Sequence, residues 1–310
     1  MTSIGPGTAA RAFVRALPIW AALTLVPQVL PAQTLVFASY NLKNYLRMER
    51  VVEGQADPLA PKPESEVAAA IEIIRKIRPD VLGIIEIGDQ EMLSDLQRRL
   101  GGAGLAYPHC EWVRGADPDR HIALLSRHPI VARNSRDNIP FEMESSQHRV
   151  GRGILDVTVQ AKGAAEIRFV GAHLKSRRPS PGVEERTFRA KEAWQIRRHL
   201  ESILSASPHE KILLFGDLND NKNEYPIKLL IGSPGTPGFM RPLPLEDQNG
   251  ERWTHYWQEA DIYSRLDYIL ASATLWPHID MARSGISGES GWDQASDHRA
   301  IFTTIRLSEL

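Results

Sequence analysis

Apolar positions along this chain recur with two spacings, two and about 3.6 residues, and the change from one to the other divides it into elements. Alternating β-formers from Thr34 to Tyr40 predict a strand ending at Asn41. Leu42–Pro63, broken by Gly54 and three prolines, reads as a long surface loop. Val67, Ala70, Ile71, Ile74 and Ile77 then fall at helical spacing, so Ser65–Ile77 predicts an amphipathic helix that Pro79 ends. Val81–Ile85 is a short apolar strand delivering Glu86. Gln90–Leu100 is a second helix, stopped by Gly101–Gly104.

A β-rich middle follows. Ile122–Leu125 is an apolar strand, and Gly153–Val159 pairs with Glu166–Val170 around a turn at Lys162–Gly163. The second of these runs on into Gly171–Ser176. Val183–Leu204 predicts a long helix with a basic solvated side, and Ile212–Phe215 a buried strand. Ser233–Pro244 is a loop rich in Gly and Pro. Arg252–Trp257, Arg265–Ala271 and Ala300–Ile305 complete the strands. Helices interleave with strands, some of which must pair antiparallel, so a mixed-sheet α/β sandwich is expected.

Chemistry-bearing residues collect where the apolar runs stop. Asn41, Glu86, His173, Asp217 with Asn219, Asp267 and the pair Asp297–His298 all follow or end such runs. Gly-Asp-x-Asn is also ordinary turn chemistry, so the repetition counts for more than any one instance. Glu86, Asp297 and Asn41 offer hard oxygens, and no zinc-type His/Cys spacing is present. That set suits Mg²⁺, with Mn²⁺ as the alternative. Each histidine can serve an anionic oxygen if a carboxylate favours its protonated form.

Composition narrows the class. With 42% hydrophobic and 24% charged residues in 310, the chain is of ordinary globular make-up. Its net charge of −1 speaks against a nucleic-acid-coating protein, though not against a local basic groove. One cysteine, Cys110, leaves no internal disulfide. Residues 1–32 contain no acid, carry Arg11 and Arg15, run apolar over Leu17–Leu30 and end in a cleavage-like Leu-Pro-Ala. They read as a secretory signal peptide, leaving 33–310 as one domain, secreted or periplasmic, without stable membrane insertion. Its removal leaves 35 basic and 38 acidic residues, a charge of −3.

The motifs SYNLKN, LGIIE, GAHLKS, FGDLND, SRLDYIL and SDHRAI occur in the order in which the endonuclease/exonuclease/phosphatase superfamily carries them. The resemblance spans Thr34–Leu307. It implies a four-layer α/β sandwich, two packed mixed β-sheets flanked by helices, and a metal-dependent phosphoesterase. It further implies Glu86, Asn41 and Asp297 at the metal, and Asp217 orienting or deprotonating the attacking water. Asn219 would hold that water or a phosphoryl oxygen, and His298 would bond the phosphoryl oxygen with Asp267 fixing its ring. His173 matches the branch that places histidine there. One departure is Lys43, where many members carry an acid.

Around these, Lys175, Arg177 and Arg120 are expected to grip substrate phosphate, with Arg149 and Arg152 as further candidates. Trp253, Tyr256 and Trp257 pack a sheet edge, stack on a substrate base or meet a lipid or sugar. No long exposed apolar hairpin is evident. The expected protein is a monomeric, Mg²⁺-dependent hydrolase of phosphate esters, nucleic acid foremost. Small-molecule and lipid-headgroup phosphates are the alternative, and a non-catalytic binding module of the same fold a remote one.

Overall fold

The computed structural model describes residues 1–3, 5, 7, 33–180, 182, 184–236 and 238–308. Contacts divide the chain into Met1–Pro31 and Ala32–Leu310. Every helix and strand among the described residues belongs to the second unit. The expected signal peptide lies almost wholly outside the described residues.

The chain begins with β1 (Thr34–Tyr45), β2 (Met48–Val52), β3 (Gln55–Ala60), α1 (Glu64–Ile77), β4 (Val81–Ile87) and α2 (Gln90–Gly102). It continues through β5 (His109–Val113), β6 (His121–Ser126), β7 (Ile130–Arg133), β8 (Pro140–Met143), β9 (Ser146–Arg149) and β10 (Leu155–Gln160). Next come β11 (Glu166–His173), α3 (Glu185–Ala206), β12 (Ile212–Asp217), α4 (Tyr225–Ile231), β13 (Met240–Pro242) and β14 (His255–Trp257). The last are β15 (Ile262–Ser264), β16 (Asp267–Ser272), β17 (Ile279–Ile286), α5 (Trp292–Ala295) and β18 (Ile301–Arg306).

Two six-stranded mixed sheets result, ordered β17-β18-β1-β4-β6-β5 and β13-β16-β12-β11-β10-β7. Each holds one parallel pair inside it, β1 with β4 and β11 with β12. A parallel pair needs a long crossover, and α1 and α3 lie in those two connections. Period-two alternation sorts the side chains. Phe37, Val81 and Ile85 of the first sheet share a central core with Phe169, Leu213 and Phe215 of the second. Between them on the same strands, Tyr40, Leu82 and Ile84 turn outward to α1 and α2. Val170, Ile212 and Leu214 turn outward to α3 and α4. The expected four-layer sandwich is the architecture observed.

The two sheets meet at Phe215. Its ring lies 5.0 Å from that of Phe37, which lies 5.1 Å from Phe169. A Cβ at Gly83 would overlap the Phe215 ring, and one at Gly171 would come within 2.8 Å of it. The glycines of LGIIE and GAHLKS therefore make room for the phenylalanine of FGDLND.

Several boundaries differ from the pattern-based expectation. β1 does not end at Asn41 but runs on to Tyr45. The stretch expected as loop, Leu42–Pro63, contains the β2–β3 hairpin, which turns at Glu53 and Gly54 with φ of +53° and +81°. Both faces of that hairpin are largely exposed, so it left no apolar periodicity to read. In α3 the solvated basic side is only partial, since Arg189 and Arg197 are buried and Glu192 is fully so. Strands β5, β7, β8, β9, β13, β15 and β17 and helices α4 and α5 were not foreseen.

Gly83→Ala is expected to cost about 1–3 kcal/mol by forcing Phe215 from its place. Urea unfolding monitored by tryptophan fluorescence would register it as a lower midpoint at unchanged slope.

Candidate active site

The first sheet delivers its polar residues through a bulge. β4 pairs Ile85 with Asn41 and then Ile87 with Tyr45, so three residues of β1 oppose Glu86 alone. Against β6 Glu86 is likewise skipped. Bulges re-aim side chains at the rims of sheets, and here Glu86 takes φ +64°, with Lys43 at +46° and Asn44 at +58°. None is glycine, and left-handed backbone at such residues costs about 1–3 kcal/mol each. The turn is tied to the acid, since Asn44 N–H donates to Glu86 Oε2 at 3.0 Å.

The second sheet delivers its residues by register. His173 on β11 stands opposite Asp217 on β12, which stands opposite Asp267 on β16. Gly216 lies between, at φ +139°, where a Cβ would collide with the Ala172 carbonyl oxygen. That glycine lets β12 approach its parallel neighbour closely enough to place the three side chains in one row.

Asp217 joins the two sheets. Its Oδ2 accepts Asn41 Nδ2–H at 3.0 Å and stands 3.7 Å from Nε2 of both His173 and His298. Its Oδ1 accepts Asn219 N–H at 2.9 Å. His298 pairs through Nδ1 with Asp267 Oδ2 at 2.7 Å. Thr254 Oγ1 accepts from the Asp267 backbone N–H, and Ser296 Oγ donates to the Asn41 carbonyl. Asn41, His173, Asp217 and Asp267 are at most 2% exposed.

Burial sets the protonation pattern. It pushes Asp217 up to about 7, with Asp267 and Glu86 adding to the effect and His298 opposing it. Burial acts against charge on His298 too, but Asp267 and Asp217 outweigh it and raise that imidazole to about 10. His173 goes the other way. Burial, Arg152 and His298 hold it well below the usual histidine range, and its nearest carboxylate oxygens lie 3.7 and 3.9 Å away. Of the two imidazoliums expected from sequence, His298 is charged and His173 is neutral.

Glu86, His173, Asp217, Asn219, Asp297 and His298 line a single cavity of about 730 Å³. Arg120 and Lys175 also line it, while Asn41 and Asp267 bond its wall from behind. Arg177 does not line it. Its guanidinium turns back to Asp220 Oδ1 at 2.8 Å and the Asn219 carbonyl, sharing the buried Asp220 with Arg189. Arg178 and Arg152 face the cavity in its place. Arg152 is 8% exposed, reaches Asp117 Oδ2 at 3.1 Å, and keeps its Nε unpaired among the described residues.

Lining residues that were not foreseen include Glu192 and His255. Glu192 accepts N–H groups of Gly151 at 2.8 Å and Lys175 at 2.6 Å, holding the loops that carry Arg152 and Lys175. His255 bridges His298 through backbone, with ring centroids 4.6 Å apart. Its place in an aromatic-rich run just before SRLDYIL was the available signal.

Atoms of Glu86, His173 and Asp217 lie within 4.8 Å of one another, as do those of Asp217, Asp267 and His298. The first group opens on the cavity and supplies carboxylate oxygens, which suits a hard divalent cation. Glu86, whose Oε1 takes no hydrogen bond among the described residues, is the residue best placed to hold it. Asp297 lines the same cavity without joining either tight group.

The sequence pattern of the endonuclease/exonuclease/phosphatase family matches residues 38–298. No curated protein matches the sequence. Among solved structures, a truncated TDP2 from Caenorhabditis elegans is similar at TM-score 0.59 and 15% identity, covering 88% of this chain and 97% of that one. A protein of the same family from Beutenbergia cavernae is similar at TM-score 0.59 and 19% identity, covering 88% and 72%. Sphingomyelinase C from Streptomyces griseocarneus reaches TM-score 0.58 at 18% identity, covering 88% and 99%. At these identities the likeness is one of fold.

In an NMR titration of the metal-free protein the Asp217 carboxyl is expected to hold its proton up to about 7 and the His298 ring its own up to about 10. Asp267→Asn removes a charge that holds the His298 proton, so the His298 midpoint should move to lower pH. A midpoint that stays in place would separate Asp267 from the charge on His298.

Proposed function

This chain belongs to the endonuclease/exonuclease/phosphatase family of metal-dependent phosphoesterases, and we propose that it hydrolyses phosphodiesters with activated water, nucleic acid being the foremost substrate. The observation that carries this reading is the opposition of Asp217 and His298 at 3.7 Å in one cavity. A carboxylate near pH 7 can take a proton from water, and a charged imidazole beside it can donate to a phosphoryl oxygen.

In this reading a divalent cation held at Glu86 supplies electrostatic stabilisation of charge on the phosphoryl oxygens. Asp217 accepts the proton of the attacking water while Asn41 and Asn219 fix its two oxygens. His298 donates Nε2–H to a non-bridging oxygen as charge builds, and Asp267 keeps that ring charged and oriented. Arg152 holds a second oxygen from the opposite wall. The bond from water oxygen to phosphorus forms, the ester bond breaks, and the leaving alkoxide takes up a proton.

Arg120, Arg149, Arg152, Lys175 and Arg178 line the cavity together with Glu86, Asp117, Asp119, Glu192, Asp217 and Asp297. The His298 charge and a divalent cation would then give it the positive excess that a phosphate anion needs. A second reading, a lipid-linked phosphodiester, draws on the β14–β15 hairpin. It exposes Trp257, which the sequence singled out, with Ile262 and Tyr263, which it did not, beside the cavity wall at His255. Trp253 and Tyr256 instead pack against Tyr263 and Trp292.

The test is the Mg²⁺-loaded protein on plasmid DNA, RNA, choline-lipid vesicles, bis-p-nitrophenyl phosphate and p-nitrophenyl phosphate. Diester turnover without monoester turnover supports the proposal, and the reverse overturns it. Asp217→Asn should lower kcat about 100-fold or more at unchanged fold, and full activity would remove that carboxylate's role. We propose export as well, on the composition of residues 1–32. N-terminal sequencing of the extracellular or periplasmic protein should then begin at Gln33.

A further inference from the structure

The turn carrying Asn44 is held from behind by two cations that the catalytic residues do not account for. Asn41 Oδ1 accepts Lys43 N–H at 3.0 Å, and Lys43 and Asn44 then both take left-handed backbone. L-residues other than glycine rarely hold that conformation in succession without outside support. Both carbonyls of the pair receive it. Lys62 Nζ donates to the Lys43 oxygen at 3.2 Å, and Arg50 Nη2 to the Asn44 oxygen at 3.0 Å. Lys62 is 5% exposed and also meets Glu66 Oε2 of α1 at 2.6 Å. Arg50 stands on β2, so the otherwise exposed hairpin reaches the site through this side chain. On its other side the same turn donates Asn44 N–H to Glu86 and accepts Arg120 Nε–H at Asn44 Oδ1, 2.7 Å away.

We propose that Lys62 and Arg50 are positioning residues: they brace the Lys43–Asn44 turn in its left-handed form and so fix the Glu86 carboxylate for a divalent cation. The inference rests on the reading of Glu86 as a metal ligand. A buried ammonium is a poor device for stability alone, since an apolar side chain of similar volume often serves the fold as well or better. Its retention here goes with the carbonyl it holds. Groups that orient a ligand from behind typically change metal affinity by about 10- to 100-fold when removed.

The test is Mn²⁺ titration by calorimetry on protein freed of metal with EDTA, comparing the parent with Lys62→Met, Arg50→Leu and the double variant. Each single change should weaken binding about tenfold, while Lys62→Arg retains most of it. Thermal unfolding of Arg50→Leu in EDTA should barely move, which a merely structural role would not predict. Should Lys62→Met fail to fold, Arg50→Leu on the exposed hairpin carries the test alone. A double variant that folds and binds Mn²⁺ within twofold of a binding parent overturns the brace and leaves the phosphoesterase reading intact. A parent that binds no divalent ion overturns the metal reading itself, and the brace with it.

Discussion

Two carboxylates and one imidazolium are taken out of water where the two sheets end together. Asp217 and Asp267 are each 2% exposed and His298 5%, so solvent cannot answer their charges and they must answer one another. Breaking one member out of such a buried set costs about 3–5 kcal/mol. The arrangement is therefore held far more tightly than a surface ion pair would be. Asn41 belongs to the same constraint, because its amide donates to Asp217 from the opposite sheet. The protonation states follow from it. Asp267 is committed to His298, so His298 keeps its proton, and Asp217 is left in low dielectric without a full partner.

That cluster needs both sheets to end at one place, and the central core determines where. Phe215 packs where Gly83 and Gly171 make room, two positions before Asp217 on β12. The parallel pair of each sheet runs toward the shared rim, so Asn41, Glu86, His173 and Asp217 arrive from four central strands. Regular strands would have left Glu86 facing a core. The bulge around it and the left-handed turn at Lys43 and Asn44 turn it into the cavity instead. Local strain at the rim is supported by the regular packing behind it.

The fold and the central carboxylates were legible because strand ends are written into the chain by apolar alternation that stops at a polar residue. FGDLND shows this most plainly, since its glycine, acid and amide each have a local reason to follow a buried strand. Other features depend on partners far away in sequence. Arg177 looked like a substrate contact, yet it joins Arg189 on the buried Asp220. Glu192 stands on a helix that reads as solvated and basic, yet it joins the Arg152 and Lys175 loops from inside. His173 and His298 read alike as histidines after apolar runs. Only the neighbours, Arg152 near one and Asp267 bonded to the other, separate their charges. The β2–β3 hairpin was missed because it buries neither face.

The cations of the cavity are themselves held. Arg152 reaches Asp117, Arg120 reaches Asn44, and Lys175 donates to the carbonyls of Ser176 and Arg178. A wall of fixed, partly neutralised cations selects by the position of its donors more than by long-range attraction. That is consistent with a chain of net charge −1, which has no excess with which to coat a polyanion. Recognition of phosphate here is then a matter of fit at one group, leaving the rest of the substrate to the surfaces around the rim.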